Sequence, residues 1–328
     1  MEKPVIAITM GDAAGIGPEL IIKVLSQRTA WDICHPFVVG DPKIMVDICR
    51  MVGTNLQFKA IGNLSEVNFS PSVVEVLCPE GLRVDHVRWG QVDPAMGRAA
   101  ALCLQKAFEM ALVGEIHGVV SAPLNKEAFH LAGYQYMDEL AYLAHLTRSS
   151  EPFTVGVMDR VWTVAVTEHV PFRDIVDLIK KDRILKQISH LHGILKKAGF
   201  TDPKIAMAAL NVHAGEGGLF GREEIDEIGP AIQRAKQQGI NVQGPFPADT
   251  VFVTAMDEGF DGVVCMYHDQ ANIARKLLAK RTGATLFMGL PVICGTTAHG
   301  TAFDKAGKGI SDPGSLEAAL KYTVKLSS

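Results

Sequence analysis

Three histidines each follow an apolar, strand-like run and sit among polar neighbours. They are His169 in Thr167-Glu168-His169-Val170-Pro171, His213 in Asn211-Val212-His213-Ala214-Gly215-Glu216-Gly217-Gly218, and His268 in Met266-Tyr267-His268-Asp269-Gln270. Strand ends of a parallel sheet are where ligands gather, because loops there are exposed while the scaffold stays rigid. Three neutral imidazoles leave coordination positions open on a divalent ion. Such an ion lowers the pKa of a substrate hydroxyl and favours hydride loss. The plain alternative is three unrelated surface or core residues. The chain has 11 histidines, and separations of 44 and 55 residues match no local metal signature.

A second constellation runs from His299 through Gly300, Thr301, Ala302, Asp304, Gly307 and Gly309 to Pro313. A glycine-rich segment of this kind can wrap an adenosine, with a carboxylate accepting from the ribose hydroxyls. Asp304 would repel a 2′-phosphate, which favours NAD over NADP. The same composition describes a surface loop equally well. A third segment, Gly11-Asp12-Ala13-Ala14-Gly15-Ile16-Gly17-Pro18-Glu19, lies between a strand and a helix start, where backbone N–H groups can meet an anion. Its spacing is not that of the dinucleotide fingerprint, and a tight turn is the better reading of the residues alone. Ser121-Ala122-Pro123-Leu124-Asn125-Lys126 adds one cation near a strand end.

Strand-like runs at Val5–Met10, Pro36–Val39, Val73–Leu77, Gly118–Ser121, Val161–Thr167, Lys204–Leu210 and Gly262–Tyr267 position these groups. They alternate with helical patterns at Ala95–Val113, Asp182–Ala198 and Glu223–Gln238, the last with acids in its first turn and Lys236 near its end. The alternation predicts an α/β protein with a largely parallel sheet. At 328 residues the chain suits two lobes, and the absence of any linker-like tract predicts that it crosses between them more than once.

Composition is ordinary for a globular protein, 48% hydrophobic and 21% charged, with net charge −4. No basic block marks a nucleic-acid partner. No run of about 18 apolar residues suggests a membrane span, and no leader precedes the first strand. The six cysteines form no CxxC pair and are expected to be reduced and mostly buried, as in a cytoplasmic protein.

Taken in order, Thr9–Glu19, Ala122–Lys126, His169, Asn211–Gly218, Pro247-Ala248-Asp249-Thr250, Tyr267–Gln270 and His299–Ala302 resemble the 4-hydroxythreonine-4-phosphate dehydrogenase family, collinearly from residue 5 to about 315. The resemblance implies a two-lobed fold similar to isocitrate and isopropylmalate dehydrogenases, with a cleft between the lobes. The lobes would be 1–125 plus 280–328 on the cofactor side, and 126–279 for metal binding and dimerisation. It further implies a cytoplasmic homodimer with its active site at the interface. His169, His213 and His268 would bind a divalent metal (Zn, Mg, Mn or Co), and His299, Gly300, Thr301, Ala302 and Asp304 would bind NAD. The implied reaction is oxidation of a small hydroxy acid, then decarboxylation of the β-keto acid, in a pyridoxine-pathway type of chemistry. Asp249, Asp269 and, more weakly, Lys126 are the catalytic candidates. As Asp commonly caps turns, a structural role for both carboxylates competes with this.

The substrate contacts depart from the family pattern. Asp138-Glu139-Leu140-Ala141 stands where the family has Gly-His-Thr-Glu. Lys276 is kept, but Thr285 and Cys294 replace an Asn and an Arg. Neither replaces the charge of an Arg fork on phosphate; Arg275 or Lys280 would have to supply it. The departures favour a different, unphosphorylated hydroxy acid or dihydrodiol as the natural substrate. A phosphate acetyltransferase-like transferase and a non-catalytic binder are the readings from other classes. The three histidines and the His299 segment speak against the first, and their retention with Asp304 speaks against the second.

Overall fold

The computed structural model describes residues 3–280 and 282–327. Contacts divide them into two compact units, one running to Phe153 and resuming at Ala284, the other Thr154–Gly283. Residues 126–153 therefore pack with the first unit, and the chain passes between units twice.

The first unit holds β1 (Val5–Thr9), β2 (His35–Val39), β3 (Gln57–Ile61), β4 (Val73–Leu77) and β5 (Gly118–Ser121). The second begins with β6 (Phe153–Met158), followed by β7 (Val161–Thr167), β8 (Ile205–Ala208), β9 (Val242–Phe246) and β10 (Gly262–Tyr267). The returning segment adds β11 (Ala284–Met288) and β12 (Cys294–Thr297) to the first unit. Strand order there is β3-β4-β2-β1-β5-β12-β11, and in the second unit β6-β7-β10-β8-β9. Pairing is parallel except for β11 with β12 and β6 with β7, which are antiparallel.

The central strands are apolar runs sealed on both faces, as parallel sheets covered by helices require. Ile6, Ala7, Ile8, Val119 and Val120 are fully buried in one unit, and Val263, Val264 and Cys265 in the other. The helices start where capping chemistry predicts. Asp41 accepts from Lys43 and Ile44 N–H before Pro42–Val52, which ends on Gly53 at φ 76°. Asp93 caps Pro94–Leu112, Asn125 caps Lys126–Leu131, and Asp138 caps Glu139–Thr147. Gly97 lets the first two of these helices touch: a Cβ there would lie 2.2 Å from the Ala128 carbonyl oxygen. The helix expected over Glu223–Gln238 is interrupted. A π turn at Glu224–Ile228 precedes the regular helix Gly229–Gln237, which has Pro at its start.

Candidate metal and dinucleotide sites

In the second unit, β7 and β10 are parallel neighbours whose last residues, Thr167 and Tyr267, are register partners. His169 and His268 therefore leave adjacent strands at the same edge of the sheet. Their ring centroids are 5.8 Å apart, with planes tilted 41°. The strand ends are tied together. Thr167 Oγ1 donates to the Met266 carbonyl at 2.9 Å, and Gln270 bridges Met266 N–H (2.8 Å) and the Ala209 carbonyl (3.0 Å). His268 Nδ1 lies 2.7 Å from Asp269 Oδ1. A carboxylate at Nδ1 favours the Nδ1–H tautomer, which leaves the Nε2 lone pair suited to a cation.

His213 sits on an unusual loop beyond β8. Residues 213–217 run through five successive positive φ values, 50°, 54°, 78°, 43° and 67°. Three of the five, His213, Ala214 and Glu216, are not glycine, and left-handed backbone costs such residues roughly 1–2 kcal/mol each. The cost is offset by a buried carboxylate: Glu224 Oε1 accepts the N–H groups of Leu210 and Asn211, both at 2.8 Å, and Oε2 accepts Asn211 Nδ2 at 2.9 Å. The His213 side chain is exposed, with Nδ1 3.0 Å from Glu216 Oε1.

Among the described residues, no group of three His, Cys, Asp or Glu side chains is arranged to hold a metal ion. Of the three expected ligands, His169 and His268 lie side by side within one chain, and His213 does not complete a group of three with them. The donor chemistry still fits a divalent cation. Two imidazoles share one sheet edge, and two of the three candidates carry a carboxylate on Nδ1 that leaves Nε2 for the ion. Asp269 is in direct contact with His268. Asp249 lies exposed in the Pro247–Thr250 turn that follows β9.

In the first unit, the His299 segment packs on the loop after β1. Ile16 N–H donates to the Thr301 carbonyl at 3.1 Å, and a Cβ on Gly15 would lie 2.8 Å from Thr301 Cβ. Thr297 Oγ1 donates to the His299 carbonyl at 2.7 Å, fixing the segment where it leaves β12. Thr301 is buried, Ala302 takes a φ of 42°, Gly300 faces open space, and the Asp304 residue is exposed. An anchored backbone with an outward carboxylate suits an adenosine and its ribose hydroxyls. The loop after β1 serves as this segment's floor as well as a turn: Asp12 N–H also donates to the Pro123 carbonyl at 2.9 Å.

Four of the five candidate substrate residues lie in the first unit. Leu140 (9% exposed), Thr285 (8%) and Cys294 (0%) are sealed in the core rather than presented to solvent. Glu139 is half-buried, and its Oε1 is enclosed without a hydrogen-bond partner. Burial pushes its carboxyl up to about 7; the Ser121 hydroxyl draws it down and the Asp138 charge adds to the rise. Lys276 is exposed on the helix His268–Ala279 of the second unit, and Lys126 is exposed at the start of Lys126–Leu131. Arg275 does not supply a free phosphate fork: it is buried and donates to Asn272 Oδ1 from Nε (3.1 Å) and Nη2 (2.6 Å). Lys280 remains exposed.

Glu224 carries little signal in the sequence. Its only signal was a carboxylate placed shortly after a glycine-rich loop, and acids at helix starts are common.

The model of one family, described as pyridoxal phosphate biosynthetic protein PdxA, matches residues 32–323. A protein of Oceanobacillus iheyensis named putative D-threonate 4-phosphate dehydrogenase is 40% identical, covering 99% of this chain and 98% of that one. Among solved structures, a 4-hydroxythreonine-4-phosphate dehydrogenase from Burkholderia phymatum is 38% identical with a TM-score of 0.83, covering 99% of both chains. A putative enzyme of the same name from Salmonella typhimurium is 37% identical with a TM-score of 0.87, covering 99% of this chain and 100% of that one.

Proposed function

The chain belongs to the pyridoxal phosphate biosynthetic protein PdxA family and is a dehydrogenase, and from that membership we propose that it oxidises a small phosphorylated hydroxy acid with NAD and a divalent cation. The substrate would be of the D-threonate 4-phosphate or 4-hydroxythreonine 4-phosphate type named for its relatives, rather than the unphosphorylated acid expected from the departures, since Leu140, Thr285 and Cys294 are sealed in the core and do not report on a substrate contact. The observation that carries the reading is the His169–His268 pair on neighbouring strand ends, with Asp269 on His268.

A bound divalent cation would supply Lewis-acid polarisation of the hydroxyl to be oxidised. His169, His268 and His213 are its proposed holders, and Asp269 keeps His268 in the ligating tautomer. In the first unit, the Thr301 segment seats the adenosine. The Asp304 carboxylate accepts from the ribose hydroxyls and repels a 2′-phosphate, which selects NAD. Asp249, Asp269 and Lys126 are the proposed groups for moving the hydroxyl proton and for protonating the carbon that loses CO₂ when the keto group lies β to a carboxylate. Lys276 is the proposed cation for the substrate's anionic end.

A homodimer completes the reading. The second unit exposes Phe172 (75%), Leu219 (72%) and Leu277 (71%), apolar area of the kind that a second copy covers. His213, exposed and apart from its partners, is suited to a site finished by another subunit. Six free cysteines fit a reducing, cytoplasmic setting, and no described helix is long and apolar enough to cross a membrane.

The test is NADH production from phosphorylated and unphosphorylated hydroxy acids with added zinc or magnesium. Turnover of the phosphorylated acids should require the cation and fall at least about 100-fold in His268→Ala, as loss of a metal ligand must exceed the 10–100-fold of an outer-shell change. Cation-independent turnover, or full activity in that variant, would refute it.

A further inference from the structure

Glu224 is buried, 6% exposed, and its carboxylate accepts hydrogen bonds from a single short stretch of chain. Two backbone N–H groups and one side-chain amide reach it from Leu210 and Asn211, with one residue between Asn211 and His213. Glu223 accepts from the same Asn211 amide at 2.6 Å. Gly215, inside the left-handed run, comes so close that a Cβ on it would lie 2.7 Å from Glu224 Oε2. A carboxylate with both oxygens engaged is a rigid anchor, and it sits where three non-glycine residues take a conformation they resist.

We propose that Glu224 is a positioning residue: it holds Asn211–Gly217 in its left-handed course and so presents the His213 imidazole in one direction before any cation arrives. This rests on the reading of His213 as a cation ligand. Glu224 does not touch the ion. It acts through the backbone, as outer-shell groups act on metal-binding histidines. The π turn beginning at Glu224 belongs to the same device, since the helix geometry there sets the carboxylate beneath the loop.

The test uses the full-length chain stripped of metal and titrated with Zn²⁺ by calorimetry, alongside hydrogen exchange of amides 210–218, urea denaturation and NAD binding. In Glu224→Ala, Zn²⁺ affinity should fall 10–100-fold. Exchange at 210–218 should quicken, while NAD affinity stays at the wild-type value. If that variant does not fold, Glu224→Gln is the variant to measure. It keeps an acceptor for both backbone N–H groups but opposes an amide to Asn211 Nδ2, and it should lose affinity several-fold. Wild-type Zn²⁺ affinity together with quickened exchange overturns the proposal, because the loop's order would not matter to the ion. A loss of stability with no change in Zn²⁺ affinity also overturns it, leaving Glu224 a purely structural group. His213→Ala separates the underlying reading: unchanged Zn²⁺ affinity there would remove His213 as a ligand, whatever Glu224 does.

Discussion

Glu139 and Asp12 carry carboxyl groups that burial has made reluctant to ionise. Asp12 is fully buried; its Oδ1 accepts Ala14 N–H at 2.8 Å, while Oδ2 has no partner. Burial, opposed by that N–H and reinforced by Asp93, raises it to about 6, and Glu139 stands at about 7. A carboxyl raised on folding keeps a proton that the unfolded chain has already released, so its contribution is fully present below the unfolded value. For Glu139 that contribution is lost as pH climbs from 4.5 to about 7, on the order of 3 kcal/mol. Glu139→Gln should therefore melt higher than the parent at pH 8 and lose most of this slope, as followed by thermal melts across that range. A melting difference that does not vary with pH would show that the group is not protonated in the fold. At this scale the sequence was informative about residue type and poor about surroundings. Asp269, singled out as a catalytic candidate, lies against His268 Nδ1, whereas nothing marked Thr285 as sealed from solvent, and Cys294 was expected both among the mostly buried cysteines and at the substrate.

Elements explain much of what was and was not legible. The strands β1, β5, β7 and β10 are predominantly apolar runs and could be placed from the sequence. The strand β12, Cys294-Gly295-Thr296-Thr297, has no such run. It is a strand because it lies between β5 and β11 and against the last helix, where a Cβ on Gly295 would stand 2.4 Å from Thr323 Oγ1. Tertiary contact, not intrinsic preference, makes it. The helix expected from residue 223 begins instead as a π turn, because the Glu224 carboxylate is drawn back under the preceding loop, a contact that periodicity does not encode. The loop after β1 was read as a turn, and its close packing against Thr301 gives it a second task. Gly15→Ala tests this coupling. The added methyl meets Thr301 Cβ and its carbonyl within 3 Å. Overpacking of that kind costs about 1–3 kcal/mol. NAD affinity should drop about tenfold by calorimetry, with the Zn²⁺ affinity unaltered; equal loss of both would point to general unfolding.

Across the whole molecule, the candidate groups separate cleanly by unit. The three histidines, Asp249, Asp269 and Lys276 belong to Thr154–Gly283, and the His299–Asp304 segment belongs to the other unit. Hydrogen exchange should register that separation. NAD alone should protect amides around Gly11–Gly17 and 299–304, and Zn²⁺ alone those around 167–170, 211–218 and 266–270. Protection by either ligand spread evenly over both units would contradict it.

The position of β12 also governs how the protein is made. Its hydrogen bonds to β5 are supplied by a segment that leaves the ribosome after the entire second unit has been synthesised. Until then the emerging polypeptide carries β5, four residues buried in the finished sheet, as a bare rim able to pair with any passing strand. The nascent chain thus carries this unpaired edge through the synthesis of more than a hundred residues, an interval in which shielding by a chaperone would guard against aggregation.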